Sequence, residues 1–190
     1  MNLPNKLTVV RIVLTPFFLA AMLLKLNNNI NINYLIAAVI FIAASVTDFL
    51  DGKIARKNGI VTTFGKLCDP LADKMLTTAA LLAFMQLGVC NIWIVMTVLT
   101  REFLITSFRL VAAAQGVVIA AGKAGKLKTA SQMIFSIIIM FLLFFADILD
   151  IEQEPVSLIS NILLGITAAL AVISGVKYII DGKKVIDFSK

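Results

Sequence analysis

Six apolar runs separated by short polar stretches organise this chain: approximately Leu7 to Leu24, Ile32 to Leu50, Met75 to Val89, Ile92 to Ala114, Ala130 to Ala146 and Val156 to Tyr178. A helix rises about 1.5 Å per residue, so about 20 apolar residues cross a bilayer's hydrocarbon layer, and the shorter runs reach that length by borrowing turns from their polar flanks. The pattern predicts an all-α integral membrane protein with six transmembrane helices. The composition agrees, being 60% hydrophobic over 190 residues with a mean hydropathy of +0.99, more than a soluble core requires. The first run follows Lys6 and Arg11 as a signal peptide's would, but an Asn-rich turn rather than a small-residue cleavage site follows Leu24, so it reads as retained. No internal repeat, low-complexity tail or linker divides the chain, and residues 1–190 read as a single domain.

Charge orients these helices, because positively charged loops stay in the cytoplasm. Lys6 and Arg11 precede or open the first helix; Lys53, Arg56, Lys57 and Lys66 lie between the second and third; Lys123, Lys126 and Lys128 between the fourth and fifth; Lys177, Lys183, Lys184 and Lys190 at the end. The intervening turns carry Lys25 and the acids Asp147, Asp150, Glu152 and Glu154. Both termini are therefore predicted to be cytoplasmic. The net charge of +6 gathers on that face and suits anionic membrane lipids or a phosphorylated substrate; spread over short loops, it does not suggest nucleic-acid binding. Cys68 and Cys90 fall on opposite sides, which argues against a disulfide between them and leaves Cys90 as the thiol for an impermeant reagent to reach. The absence of histidine excludes a histidine base or ligand.

Between Asp48 and Asp73 the chain reads D-x2-D-G-x2-A-R-x8-G-x3-D-x3-D. On helices, Asp48 and Asp51 sit about 60° apart, and Asp69 and Asp73 about 40° apart, so each pair shares a face. Like charges about 4 Å apart repel by roughly 4 kcal/mol at an effective dielectric of 20, so four gathered aspartates need cations between them. Hard oxygen ligands in that number suggest Mg²⁺ or Mn²⁺. A carboxylate at membrane depth costs roughly 2.5 to 3.5 kcal/mol, and a solvated interfacial loop, the plain alternative, does not account for so many fixed offsets. Gly52 leaves room for a flat base or sugar against the backbone, Ala55 continues the smooth face one turn on, and Arg56 can hold a phosphate by charge-assisted hydrogen bonds. Gly65 allows close packing of the second and third helices. Pro70 either occupies the first turn of a helix or interrupts one.

This segment resembles the signature of the CDP-alcohol phosphotransferase family, with every fixed position matched. The resemblance implies transfer of a phosphatidyl or related group from a CDP-linked donor to an alcohol, with release of CMP, by a homodimer carrying two divalent metals per site. It implies that Asp48, Asp51, Asp69 and Asp73 ligate the metals and that Asp73 also accepts the proton of the attacking hydroxyl. By the same pattern Gly52, Ala55, Arg56 and Thr62 line the cytidine nucleotide pocket. The opening N-L-P-N-K-L-T-V-V-R is similar to that of bacterial members taking a phosphorylated acceptor, where Asn5 and Thr8 meet the nucleotide; an interfacial amphipathic start explains it equally well.

The acceptor is read from the fourth helix. Arg101, Glu102 and Arg109 interrupt its apolar run, and Lys123, Lys126 and Lys128 follow. Arg101 and Arg109 are about 80° and roughly 12 Å apart on an ideal helix, so both can face one polar cavity. One explanation is an internal pair such as Arg101 with Glu102, the lysines acting as cytoplasmic anchors. The other is a phosphate-bearing alcohol held by Arg101, Arg109, Lys126 and Lys128. Thr100 to Ala121, with the G-K-L-K-T of residues 125–129, resembles the bacterial family members that use glycerol 3-phosphate. The expected reaction is CDP-diacylglycerol plus glycerol 3-phosphate giving phosphatidylglycerol phosphate and CMP, in the bacterial cell membrane with the site facing the cytoplasm. Inositol phosphate, serine or phosphatidylglycerol are alternative acceptors. A prenyltransferase also holds a diphosphate with aspartates and Mg²⁺, but its motifs lie farther apart than the 18 residues from Asp51 to Asp69. A divalent cation carrier accounts for the acids but not for Gly52, Ala55 and Arg56.

Overall fold

The computed structural model describes residues 3–24, 30–58, 63–116 and 122–182, with the backbone alone at 3–4, 30–31, 48–58, 63–70, 73 and 123. The described residues form six helices: α1 (Leu3–Leu23), α2 (Ile30–Asn58), α3 (Thr63–Gln86), α4 (Ile92–Ala114), α5 (Lys123–Ile148) and α6 (Gln153–Gly182). α1 packs on α2 and α3, α2 on α5, α5 on α6 and α6 on α4, while α3 and α4 touch only lightly and close the ring.

The packing is inverted relative to a soluble bundle. On α1, Asn5, Thr8, Arg11 and Thr15 recur at helical spacing and are buried, whereas Val13 and Phe17 are 51% and 61% exposed. A surface of this kind fits hydrocarbon, not water. Asn5–Leu23, Ala124–Ile148 and Gln153–Gly182 are long and apolar enough to cross a membrane. The apolar part of α2, Ile32–Thr47, is shorter, and α4 carries Arg101, Glu102 and Arg109 within its length. Small residues let the helices approach closely. Ala37, Ala38 and Ala44 of α2 and Ala79, Ala80 and Ala83 of α3 are buried beside Phe18 and Phe41, whose ring centroids are 5.6 Å apart.

The turns are specified locally. Gly88, at φ +75°, ends α3 in a Schellman motif: its N–H donates to Met85 O at 3.0 Å and that of Val89 to Phe84 O at 3.0 Å. Asn91 then caps α4, its Oδ1 accepting from Trp93 N at 2.9 Å. Asp150, at φ 50°, plays the corresponding part after α5, with Ile151 N donating to Ala146 O at 2.8 Å. The first turns of α6 hold the α3–α4 turn: Gln153 Nε2 donates to Leu87 O at 2.7 Å, Ser157 Oγ to Gly88 O at 3.1 Å, and Asn91 N to Asn161 Oδ1 at 2.8 Å.

The helices extend beyond the apolar runs: α2 continues past Leu50, and α3 begins at Thr63, well before Met75. Hydropathy misses these turns because polar residues remain helical at a water-facing end. Pro70 therefore lies inside α3, which excludes the first-turn reading and releases the Lys66 carbonyl from its helical hydrogen bond. Cys90, in contrast to the accessible thiol expected, is only 6% exposed, and burial pushes its thiol up to about 11. A rise from the usual 9.0 leaves about a hundredfold less thiolate at neutral pH. An impermeant maleimide should label Cys90 slowly in the folded protein and rapidly in detergent-denatured protein, and equal rates would contradict the burial.

Candidate active site

One end of the bundle collects the chemistry. α2 ends there, and α3 begins after a four-residue link spanning 59–62. The signature is thereby divided between two helix ends. Asp48, Asp51, Gly52, Ala55 and Arg56 lie on the last turns of α2, and Gly65, Asp69 and Asp73 on the first three turns of α3. Thr62 falls outside the described residues. The donor set, four hard carboxylates on two adjoining helix ends, fits a divalent cation. The side chains that are described contain no second grouping of three or more metal-ligating residues.

Lys74 follows Asp73 directly, and its Nζ makes a short hydrogen bond to Thr106 Oγ1 on α4. Thr106 in turn donates to Glu102 O at 2.7 Å. This bridges the otherwise light contact of α3 with α4. From there the polar groups continue into the bundle. Glu102 Oε1 accepts from Arg101 Nη1 at 2.9 Å and from Lys128 Nζ at 2.6 Å. Lys128 is 2% exposed and also donates to Gln132 Oε1 at 2.6 Å, one turn along α5.

Arg101 is fitted closely. Its Nη2 donates to Ser174 Oγ of α6 at 3.2 Å, and its Nε is buried without a partner among the described residues. Gly125 and Gly175 flank it: a Cβ at Gly175 would lie 3.2 Å from Arg101 Cγ, and one at Gly125 3.3 Å from Nη2. Arg109 is exposed and also turns to α6, its Nε donating to Tyr178 Oη at 3.0 Å with the guanidinium carbon 5.4 Å from the ring centroid. Ser174 and Tyr178 are one turn apart on α6, so Arg101 and Arg109 share a side, as their spacing predicted. Lys126 is exposed and stands apart from the buried pairs.

The internal Arg101–Glu102 pair set out as an alternative is thus present. Gln132, Ser174 and Tyr178 were not singled out by the sequence; Gln132, four residues past Lys128 on one helix face, had a visible signal, whereas the α6 partners had none. Asn5 and Thr8 are buried on the inner face of α1, together with Arg11. An outward groove of about 480 Å³ between α4 and α6 reaches Arg101, but Trp93, Met96, Leu104, Val172 and Val176 make its walls apolar, which suits hydrocarbon and not a charged acceptor.

Known proteins resemble this chain over most of its length. The family model described as CDP-alcohol phosphatidyltransferase matches residues 1–174. A protein of Bacillus subtilis (strain 168) named CDP-diacylglycerol–glycerol-3-phosphate 3-phosphatidyltransferase is 45% identical over 141 residues, covering 70% of this chain and 73% of its own. A Rickettsia felis protein of the same name is 34% identical over 189 residues, 96% of each chain. A Mycobacterium tuberculosis protein named probable phosphatidylglycerophosphate synthase is 35% identical over 178 residues, 94% of this chain and 80% of its own.

Proposed function

From the premise that the chain belongs to the CDP-alcohol phosphatidyltransferase family, we propose that it transfers the phosphatidyl group of CDP-diacylglycerol to glycerol 3-phosphate, giving phosphatidylglycerol phosphate and CMP. The observation that carries this reading is that Lys74, one residue past the signature's last aspartate, reaches Thr106 of α4, whose hydroxyl bonds the backbone of Glu102, the partner of Lys128 on α5. The acceptor hydroxyl oxygen forms a bond to the phosphatidyl phosphorus, the bond from that phosphorus to the oxygen leaving with CMP breaks, and Asp73 receives the hydroxyl proton. An aspartate serves as base because the proton becomes acidic only as the new bond forms.

Asp48, Asp51, Asp69 and Asp73 hold two divalent cations, Mg²⁺ or Mn²⁺, whose charge when bound neutralises the diphosphate for attack. Asn5, Thr8, Gly52, Ala55, Arg56 and Thr62 receive the CDP moiety, and Gly65 sets the approach of α3 to α2. Arg101, Arg109, Lys126 and Lys128 attract the acceptor phosphate. The proposed domain spans residues 1–190, with the signature at 48–73 and the acceptor region at about 101–129. All six helices cross the cell membrane, both termini lie in the cytoplasm and the active end faces it; the distribution of lysine and arginine supports this orientation. Pairing into a homodimer is carried over from the family's pattern.

The test is transfer of label from glycerol 3-phosphate into lipid by purified protein with CDP-diacylglycerol and Mg²⁺. Labelled lipid with matching CMP supports the reading; CMP released only with inositol phosphate, serine or phosphatidylglycerol replaces the acceptor. Arg109→Ala is expected to raise KM for glycerol 3-phosphate about tenfold, the scale of one charge-assisted hydrogen bond, with little change for CDP-diacylglycerol. Unaltered acceptor kinetics would remove Arg109 from the pocket.

A further inference from the structure

Glu102 sits in the middle of a membrane-apolar helix, where a carboxylate is costly and calls for a reason. Its surroundings supply one. A single oxygen, Oε1, gathers Arg101 Nη1 at 2.9 Å and Lys128 Nζ at 2.6 Å. The two cations come from different helices, α4 and α5, and would repel each other without an anion between them. Lys74 of α3 also lies within electrostatic reach of the carboxylate, and the Glu102 backbone oxygen receives the Thr106 hydroxyl that Lys74 contacts. Three helices thus refer to one residue.

The fit of the partners argues against a passive ion pair. Arg101 packs closely on Gly125 at its guanidinium and on Gly175 at its stem, and Ser174 and Glu102 take its Nη groups, so it has little freedom to follow an anion. Lys128, 2% exposed, is held by both Glu102 and Gln132. Cations fixed beforehand at a set separation lose less on binding a multi-oxygen anion than mobile ones do. We infer that Glu102 is a positioning residue for acceptor recognition: its carboxylate holds Lys128 and Arg101 at the separation that a phosphate monoester bridges. The inference rests on the reading that the acceptor is phosphorylated.

Opposed effects make it testable. Removing the carboxylate adds net positive charge, which by itself would strengthen phosphate binding; loss of positioning weakens it. For purified full-length Glu102→Gln, KM for glycerol 3-phosphate is expected to rise about tenfold while KM for CDP-diacylglycerol stays within about twofold. If Glu102 acts through Lys128, combining Glu102→Gln with Lys128→Gln should be no worse than Lys128→Gln alone. Glu102→Asp, which retains the charge but retracts it by one methylene, should show a smaller rise, and it serves if Glu102→Gln does not fold. A lower or unchanged acceptor KM, a parallel change in both KM values, or additive effects in the double variant overturn the inference. Inorganic phosphate provides an arm independent of turnover: it should raise the Tm of the wild type and not that of Glu102→Gln, and equal shifts overturn the inference. Absence of any transfer to glycerol 3-phosphate by the wild type counts instead against the acceptor, and the phosphate shift then decides the role of Glu102 separately.

Discussion

Asp73→Asn is expected to lower turnover by about 10²–10⁴-fold, the range that a positioned general base contributes, while the helical content remains that of the wild type. The substitution keeps the size of the side chain and one oxygen but removes the charge and the capacity to take a proton. Asp73 lies on α3 one residue before Lys74, whose hydrogen bond to Thr106 ties this helix to α4. Asp48→Asn, on α2, removes a ligand but no base, and its loss should be relieved in part by raising the metal concentration. Relief of Asp73→Asn by metal to the same extent would assign Asp73 to ligation alone. Steady-state rates across a Mg²⁺ titration make the comparison.

Chelation of divalent cations should abolish transfer, and Mg²⁺ or Mn²⁺ should restore it. Four aspartates distributed over two adjoining helix ends repel one another unless cations lie between them, so removal acts on stability as well as rate. A cation present at 100 times its dissociation constant stabilises the bound state by about 2.7 kcal/mol, which corresponds to a Tm rise of several degrees for a chain of this size. Thermal unfolding with EDTA, with Mg²⁺, and with Mg²⁺ in Asp69→Asn provides the measurement. Full activity in EDTA would overturn the assignment of metal to these carboxylates.

Much of this site is legible in the sequence because its geometry is local. The offsets within Asp48–Asp73 are helical offsets, and the helices α2 and α3 carry them as expected. What escapes is of two kinds. Hydropathy ends α2 at Leu50 and starts α3 at Met75, because it detects burial in hydrocarbon and not the continued backbone hydrogen bonding of polar turns in water. Long-range partners escape as well. Glu102 meets Lys128 26 residues away, and Arg109 meets Tyr178 69 residues away; each depends on which helices become neighbours, a matter settled by packing of alanine and phenylalanine faces that look alike in sequence. The adjacent Arg101–Glu102 pair, by contrast, could be set down beforehand as one of two explanations.

The helices of the α3–α4 hairpin are held more by their neighbours, α1 and α6, than by each other. Gln153, Ser157 and Asn161 grip its turn, while along its length the two helices scarcely meet until Lys74 reaches Thr106. Each helix is an arm running from the turn at Gly88, α3 braced by α1 and α4 by α6. From Gly88 to Asp73 the arm is about 22 Å long, so a change of about 5° at the turn displaces the tip by about 2 Å, twice the misplacement that can cost a hundredfold in rate. The hydrogen bonds of Asn161 and Gln153 at the turn thereby bear on the placement of Asp73, fifteen residues away along α3.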